Sequence, residues 1–136
     1  MPLRMKGGGR MLRRFSFGGM TFEYDEDKDR RNRKKHGIPF RYAARVFFDD
    51  ERIELFDDEH SADEERYDTI GSASAGTLNV IGSLKSDTGE WDDILFVAYT
   101  ERSADGEDGR RVDVARLISA RLATSFERGL YYGKHS

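Results

Sequence analysis

The chain has 136 residues, 36% charged and 37% hydrophobic, with 12% aromatic residues, no cysteine and a formal net charge of −3. That length fits one domain with a modest core, and the aromatic share speaks against a disordered polymer. The lack of cysteine excludes disulfides, thiolate metal sites and cysteine nucleophiles and fits a reducing, cytoplasmic setting, while no apolar run reaches the length of a membrane helix.

Residues 1–20 hold Arg4, Lys6, Arg10, Arg13 and Arg14 and no acid, which leaves 18 basic and 26 acidic residues, a net of −8, in the rest. Gly7-Gly8-Gly9 and Gly18-Gly19 mark this segment as a flexible basic extension with Met11 and Met20 as alternative starts. It has no apolar core of the kind a secretory signal needs. Thr21-Phe22-Glu23-Tyr24 alternates as a short strand. The stretch KDRRNRKKHGIPF then crowds six Lys and Arg into the eight positions 28–35. Its ends still predict a helix. Asp25 suits the N-cap, Glu26 and Asp27 fall in the first turn, and Arg33, Lys34, Lys35 and His36 fall in the last. Gly37 and Pro39 then stop it. With no apolar stripe, such a helix is held by its ends, its charge pairs and its aliphatic stems.

Phe40, Ala43, Ala44 and Phe47 share one face of a second helix over 40–48. Strands are expected over 53–56, 66–71, 78–81, 94–99 and 112–118. An acidic loop covers 57–65, the long polar turn GSLKSDTGEWDD covers 82–93, and the loop SADGEDG covers 103–109. Ser119 then caps a final helix with Leu122, Ala123, Phe126 and Leu130 as its buried stripe. The fold class is α+β: a mainly antiparallel β-sheet with two N-terminal helices and one C-terminal helix. Basic residues concentrate in 28–35 and 110–134 and acidic ones in 49–65 and 87–108. A dipolar chain of this kind can hold an anion at one face and a basic partner at another.

The segments TFEYDEDKDRRNRKKHGIPF, AARVFFDD, EERYDTIG, ILFVAYTER and RLISARLATSFERGLYY follow one another in an order and spacing that resembles the BrnT family. Those are small ribonuclease toxins of type II toxin–antitoxin systems with a RelE-like fold. Single motifs such as KHG are weak; five in register are specific. The resemblance covers 20–133 apart from the middle. It implies one toxin-like domain over 21–136 that cleaves RNA as a metal-independent endoribonuclease, uses no cofactor and inhibits growth or translation. It also implies a cognate BrnA-like antitoxin as protein partner, so that DNA is met only through that partner, with oligomers arising within the complex. The first 19 residues and an inserted hairpin or loop around 73–92 depart from the family pattern. The insert either lengthens a hairpin harmlessly or folds over the nucleic-acid face.

Cleavage through the ribose 2′-hydroxyl needs a base for its proton, cations for the charge on phosphorus and an acid for the leaving oxygen. Arginine suits the phosphate role because its charge is permanent and its donors form a planar fork. Arg121, at the start of the predicted last helix, sits beside N–H groups that attract anions; the alternative is an ordinary first-turn arginine. Arg116 is in phase with Val112, Val114 and Ile118 on a face expected to be buried, so it needs an anionic partner, internal or substrate. Arg102 and Arg66 can point at the same surface, with Glu64 or Glu65 as an internal alternative for Arg66. His36 is the candidate acid or base titrating near neutrality, and it stands beside the catalytic face if the resemblance holds. Glu127 is a candidate base or a mere companion of Tyr131 along the helix. Lys35, Lys34, Arg33, Arg128 and Tyr132 are candidate RNA contacts, Tyr132 by stacking on a base or else by finishing the core. His36, His60 and His135 stand isolated, so no metal site is expected. Two other readings remain beside the enzyme: a catalytically silent module that keeps the antitoxin surface, and a nucleic-acid-binding domain without a partner.

Overall fold

The computed structural model describes residues 11–62, 64–82 and 93–133. The polar turn expected after Gly82 falls almost wholly on 83–92, outside the described residues, as do 1–10 of the expected extension.

The rest of that extension is not a tail. Gly18 and Gly19 take φ of 60° and 88°, left-handed values suited to a two-residue hairpin turn. They join strand β1 (Leu12–Phe17) antiparallel to β2 (Met20–Asp25). Phe15 stacks on Phe22 at 5.3 Å and Phe17 meets Phe48 edge-on at 5.4 Å, so aromatic packing fixes the added strand.

Helix α1 spans Glu26–His36 with the caps the sequence predicts: the Asp25 side chain accepts from the Asp27 N–H, and Gly37 closes the end at φ 73°. Arg30 pairs with Asp27 at 2.7 Å and Arg33 with Asp29 at 3.1 Å. The helix also has an inner face, made of polar groups. Asn32 donates to the carbonyls of Ile38 (2.9 Å) and Ala120 (2.8 Å) and accepts from the Ala120 N–H (3.1 Å). Asp29 accepts from the Phe40 N–H at 2.8 Å. Satisfied hydrogen bonds thus dock a helix that has no apolar stripe, and its cations are left facing outward.

Helix α2 (Phe40–Ala43) continues as a 3-10 turn over Ala44–Phe48, which buries Phe40, Ala43, Ala44 and Phe47 as the spacing requires. Strands β3 (Ile53–Phe56), β4 (Arg66–Ser72), β5 (Ile94–Asp105) and β6 (Arg111–Leu122) complete a six-stranded sheet in the order β1-β2-β6-β5-β4-β3. Only the β2–β6 pairing is parallel, so the chain has an α+β fold with a mixed, mostly antiparallel sheet. The main core, with Phe22, Phe40, Val46, Leu95, Val97 and Leu117, lies under α1 and α2. A smaller cluster of Ile70, Ile94 and Tyr131 lies on the other face under α4 (Ser125–Gly133).

Three expectations are corrected. The strand expected at 78–81 is the end of helix α3 (Ala73–Ile81), where Ser72 caps by accepting from the Ala75 N–H at 3.0 Å. Gly76 permits this helix to touch the preceding layer, because a Cβ there would overlap the Arg45 carbonyl. The second correction is that Ser119 caps nothing: β6 runs on to Leu122, opposite Leu95, and the helix starts five residues later than expected, at Ser125. Its expected stripe is exposed at Leu122, Phe126 and Leu130; the helix is instead anchored by buried Tyr131, whose hydroxyl donates to Asp49 at 2.7 Å. Third, β5 continues to Asp105 through the first part of the expected 103–109 loop.

Candidate functional site

Leu95, Val97 and Tyr99 of β5 face the main core, so Phe96, Ala98, Thr100 and Arg102 face the other way. On β6 the pairing skips a residue: Ser119 lies opposite Ala98, but Leu117 lies opposite Tyr99. This β-bulge at Ile118 turns both Arg116 and Arg121 to the face away from α1, although an odd spacing of five would otherwise separate them.

A row of side chains crosses that face strand by strand: Arg14 opposite Glu23, Glu23 opposite Arg116, Arg116 opposite Thr100, and Thr100 opposite Arg66. Glu23, only 3% exposed, accepts from Arg116 Nη2 at 2.7 Å and Nε at 2.9 Å. Arg14 reaches the same carboxylate at 3.3 Å and Arg102 at 3.6 Å. Burial alone would raise the Glu23 pKa, but the bonds and charge of Arg116, aided by Arg14 and Arg102, hold it below the ordinary carboxylate value. Three guanidiniums on one carboxylate leave a positive surplus.

Beside the row is a cavity of about 330 Å³ lined by Lys28, His60, Glu64, Arg66, Thr100 and Arg116. Arg66 Nε and Thr100 Oγ1 are buried with no partner among the described residues. Two hydrogen-bonding groups in this state, beside a surplus of cations, are what an oxyanion would satisfy. Asp68 is set among the same charges. Burial, then the nearby Asp57 carboxylate, push its pKa up, against the opposing pull of Arg66, His60 and Arg121.

The residues singled out from the sequence fall into three groups. Arg66, Arg116 and Arg102 meet at the row, and Lys28 from the basic helix joins them at the cavity. Arg121 opens no helix. It stacks 4.3 Å over Phe96 and holds Glu127 with two bonds of 2.7 and 2.9 Å. Glu127 also accepts from the Thr124 N–H (2.9 Å) while the Thr124 hydroxyl accepts from the Glu127 N–H (3.2 Å), a reciprocal cap on α4. The Arg121 bond holds Glu127 ionised, below its ordinary pKa. Arg128 lies 5.6 Å over the Tyr132 ring further along α4. Arg33, Lys34, Lys35 and His36 close α1, the helix that Asn32 fastens to β6 on the core side. Glu23, Thr100, Asp68 and the pair Asp57–His60 join the site without being among the residues expected from the sequence. For the last a signal existed, an acid three residues before a histidine in a loop.

Among the described residues no three His, Cys, Asp or Glu side chains gather as a metal site, and no helix is long and apolar enough to cross a membrane. No curated protein matches the chain. The sequence model of a family described as "Ribonuclease toxin, BrnT, of type II toxin-antitoxin system" matches residues 24–88. That span begins in β2 and includes the basic helix, the aromatic layer beneath it and Arg66 in β4. Over that span, a little under half of its length, the chain is similar to the BrnT family of ribonuclease toxins of type II toxin–antitoxin systems.

Proposed function

We propose that the chain cleaves RNA without a metal ion, through attack of a ribose 2′-hydroxyl on the adjacent phosphorus, and that a BrnA-like DNA-binding antitoxin in the cytoplasm covers the site. The observation that carries this reading is the row Arg14–Glu23–Arg116–Thr100–Arg66 with Arg102 at its flank. Glu23 neutralises one of the three guanidiniums it touches, and Arg66 Nε has no partner among the described residues. Arg66 and Arg116 hold the phosphate oxygens and stabilise the charge that grows on them, the electrostatic part of the catalysis. Arg121, occupied by Glu127, is a positioning residue that ties α4 to the sheet. The acidic stretch 49–65 complements a basic segment of the antitoxin.

The test is RNA cleavage in EDTA by the wild-type chain, Arg66→Gln and Lys34→Gln. Losing one preorganised donor lowers the rate by roughly 10²–10³-fold, whereas a solvated lysine shifts mainly the salt dependence. Equal rates for wild type and Arg66→Gln would place the phosphate elsewhere. The silent binding module has one observation in its favour: Arg116, Arg102 and Arg121 all have internal carboxylate partners. Lack of cleavage by well-folded wild type would select it.

A further inference from the structure

We propose that the cavity beside Arg66 and Arg116 receives one phosphate and its 5′-side ribose from single-stranded RNA, and that His60, oriented by Asp57, takes the 2′-hydroxyl proton there. The proposal rests on the ribonuclease reading above and names its base, a role for which the sequence had offered His36 and Glu127.

The segment that carries His60 is fixed by a chain of bonds. Asp57 donates its N–H to the Arg66 carbonyl at 2.8 Å. The Ser61 hydroxyl donates to the Asp57 carbonyl at 2.6 Å and accepts from the Arg66 N–H at 3.0 Å. The short 3-10 turn Asp58–His60 is therefore latched to the first residue of β4, the arginine of the row. His60 Nδ1 lies 2.9 and 3.0 Å from the two Asp57 carboxylate oxygens. A carboxylate only accepts, so Nδ1 carries the hydrogen and Nε2 of the neutral ring is left as an acceptor. The ring is 56% exposed and lines the same cavity as Arg66, Thr100 and Arg116. A proton acceptor, two guanidiniums and a buried hydroxyl with no partner among the described residues thus meet at one opening.

In the reaction the 2′-oxygen bonds to phosphorus and its proton passes to His60 Nε2. The bond from phosphorus to the 5′-oxygen breaks, and that oxygen takes a proton from solvent water. The imidazolium then gives its proton to the hydroxide so formed. The products are a 2′,3′-cyclic phosphate and a 5′-hydroxyl.

The charged groups around the ring are Asp57 on its own segment, Glu64 after it, Arg66 and Asp68 on β4, Arg116 on β6, and Asp25 and Lys28 at the start of α1. The experiment compares wild type, His60→Gln and His60→Asn on a labelled RNA oligonucleotide across pH. Binding of the 2′-deoxy oligonucleotide and circular dichroism are measured alongside. Loss of a positioned base lowers cleavage by roughly 10²–10⁴-fold. Both variants are expected to show that loss and a flattened acid limb of the pH–rate profile, with deoxy binding within about twofold of wild type. Cleavage by either folded variant at the wild-type rate would overturn the assignment and leave the ribonuclease reading standing. Absence of cleavage by folded wild type would remove both.

Discussion

Replacing Asn32 by alanine tests how a helix with six cations and no apolar stripe stays on the sheet. Asn32 is 8% exposed and binds three backbone groups, two of them on Ala120, which is fully buried. The substitution removes the side-chain partner of the buried Ala120 N–H and carbonyl. At about 1–3 kcal/mol for each buried group left unpaired, the two Ala120 groups alone cost about 2–6 kcal/mol. That is a large part of the ~5–15 kcal/mol a domain possesses. Asn32→Asp is no remedy, since it keeps the acceptor for the Ala120 N–H but sets a carboxylate against two carbonyls. Lys34→Ala, on the exposed side of the same helix, stays within about 0.5 kcal/mol. Urea unfolding followed by circular dichroism measures all three, with an unchanged slope as the check that only stability moved. An Asn32→Ala loss below about 1 kcal/mol, under the cost of even one orphaned group, would show that caps and ion pairs hold the helix instead.

Further outcomes follow from other contacts. Glu23 is held below its ordinary pKa of 4.5, so its contribution to stability is present above pH 4.5 and is lost as pH falls through the lower folded value. Acid unfolding of wild type should show this step and Glu23→Gln should lack it; identical acid limbs would contradict the pairing. Tyr131→Phe removes the anchor of α4 on Asp49 and should cost about 1–3 kcal/mol in thermal or urea unfolding. Gly76→Ala drives a Cβ into the Arg45 carbonyl. It should destabilise by about 1–3 kcal/mol or displace α3, read by the same unfolding assay.

The sequence was most legible where local chemistry decides the outcome. The capping residues of α1 and the 40–47 face are read correctly because each signal acts within one or two turns. Leu78-Asn-Val-Ile81 was misread because its residues favour a strand in isolation; the helix is set earlier, by the Ser72 cap and the small residues 73–76. Gly18-Gly19 suggests flexibility by composition, but between Phe17 and Met20 it is a hairpin turn. At the site, Arg66, Arg102 and Arg116 lie near one another on one face of the sheet. The anion that Arg102 and Arg116 share, Glu23, lies 93 residues from Arg116 in the chain and leaves no local trace. Arg121 was placed on a helix because Ser119 resembles a cap, and the bulge that sets its direction is a property of pairing with β5. His60 looked isolated because the latch to Arg66 forms only when the acidic loop folds back on β4.

The most direct test of the central claim is cleavage of a single-stranded RNA by the purified chain in EDTA, at low and at high salt, with the product ends identified. Cleavage that persists in EDTA, fades as salt rises and leaves a 2′,3′-cyclic phosphate is the expected result. Cleavage that requires a divalent ion, or products that end in a 5′-phosphate, would contradict a metal-free attack by the 2′-hydroxyl.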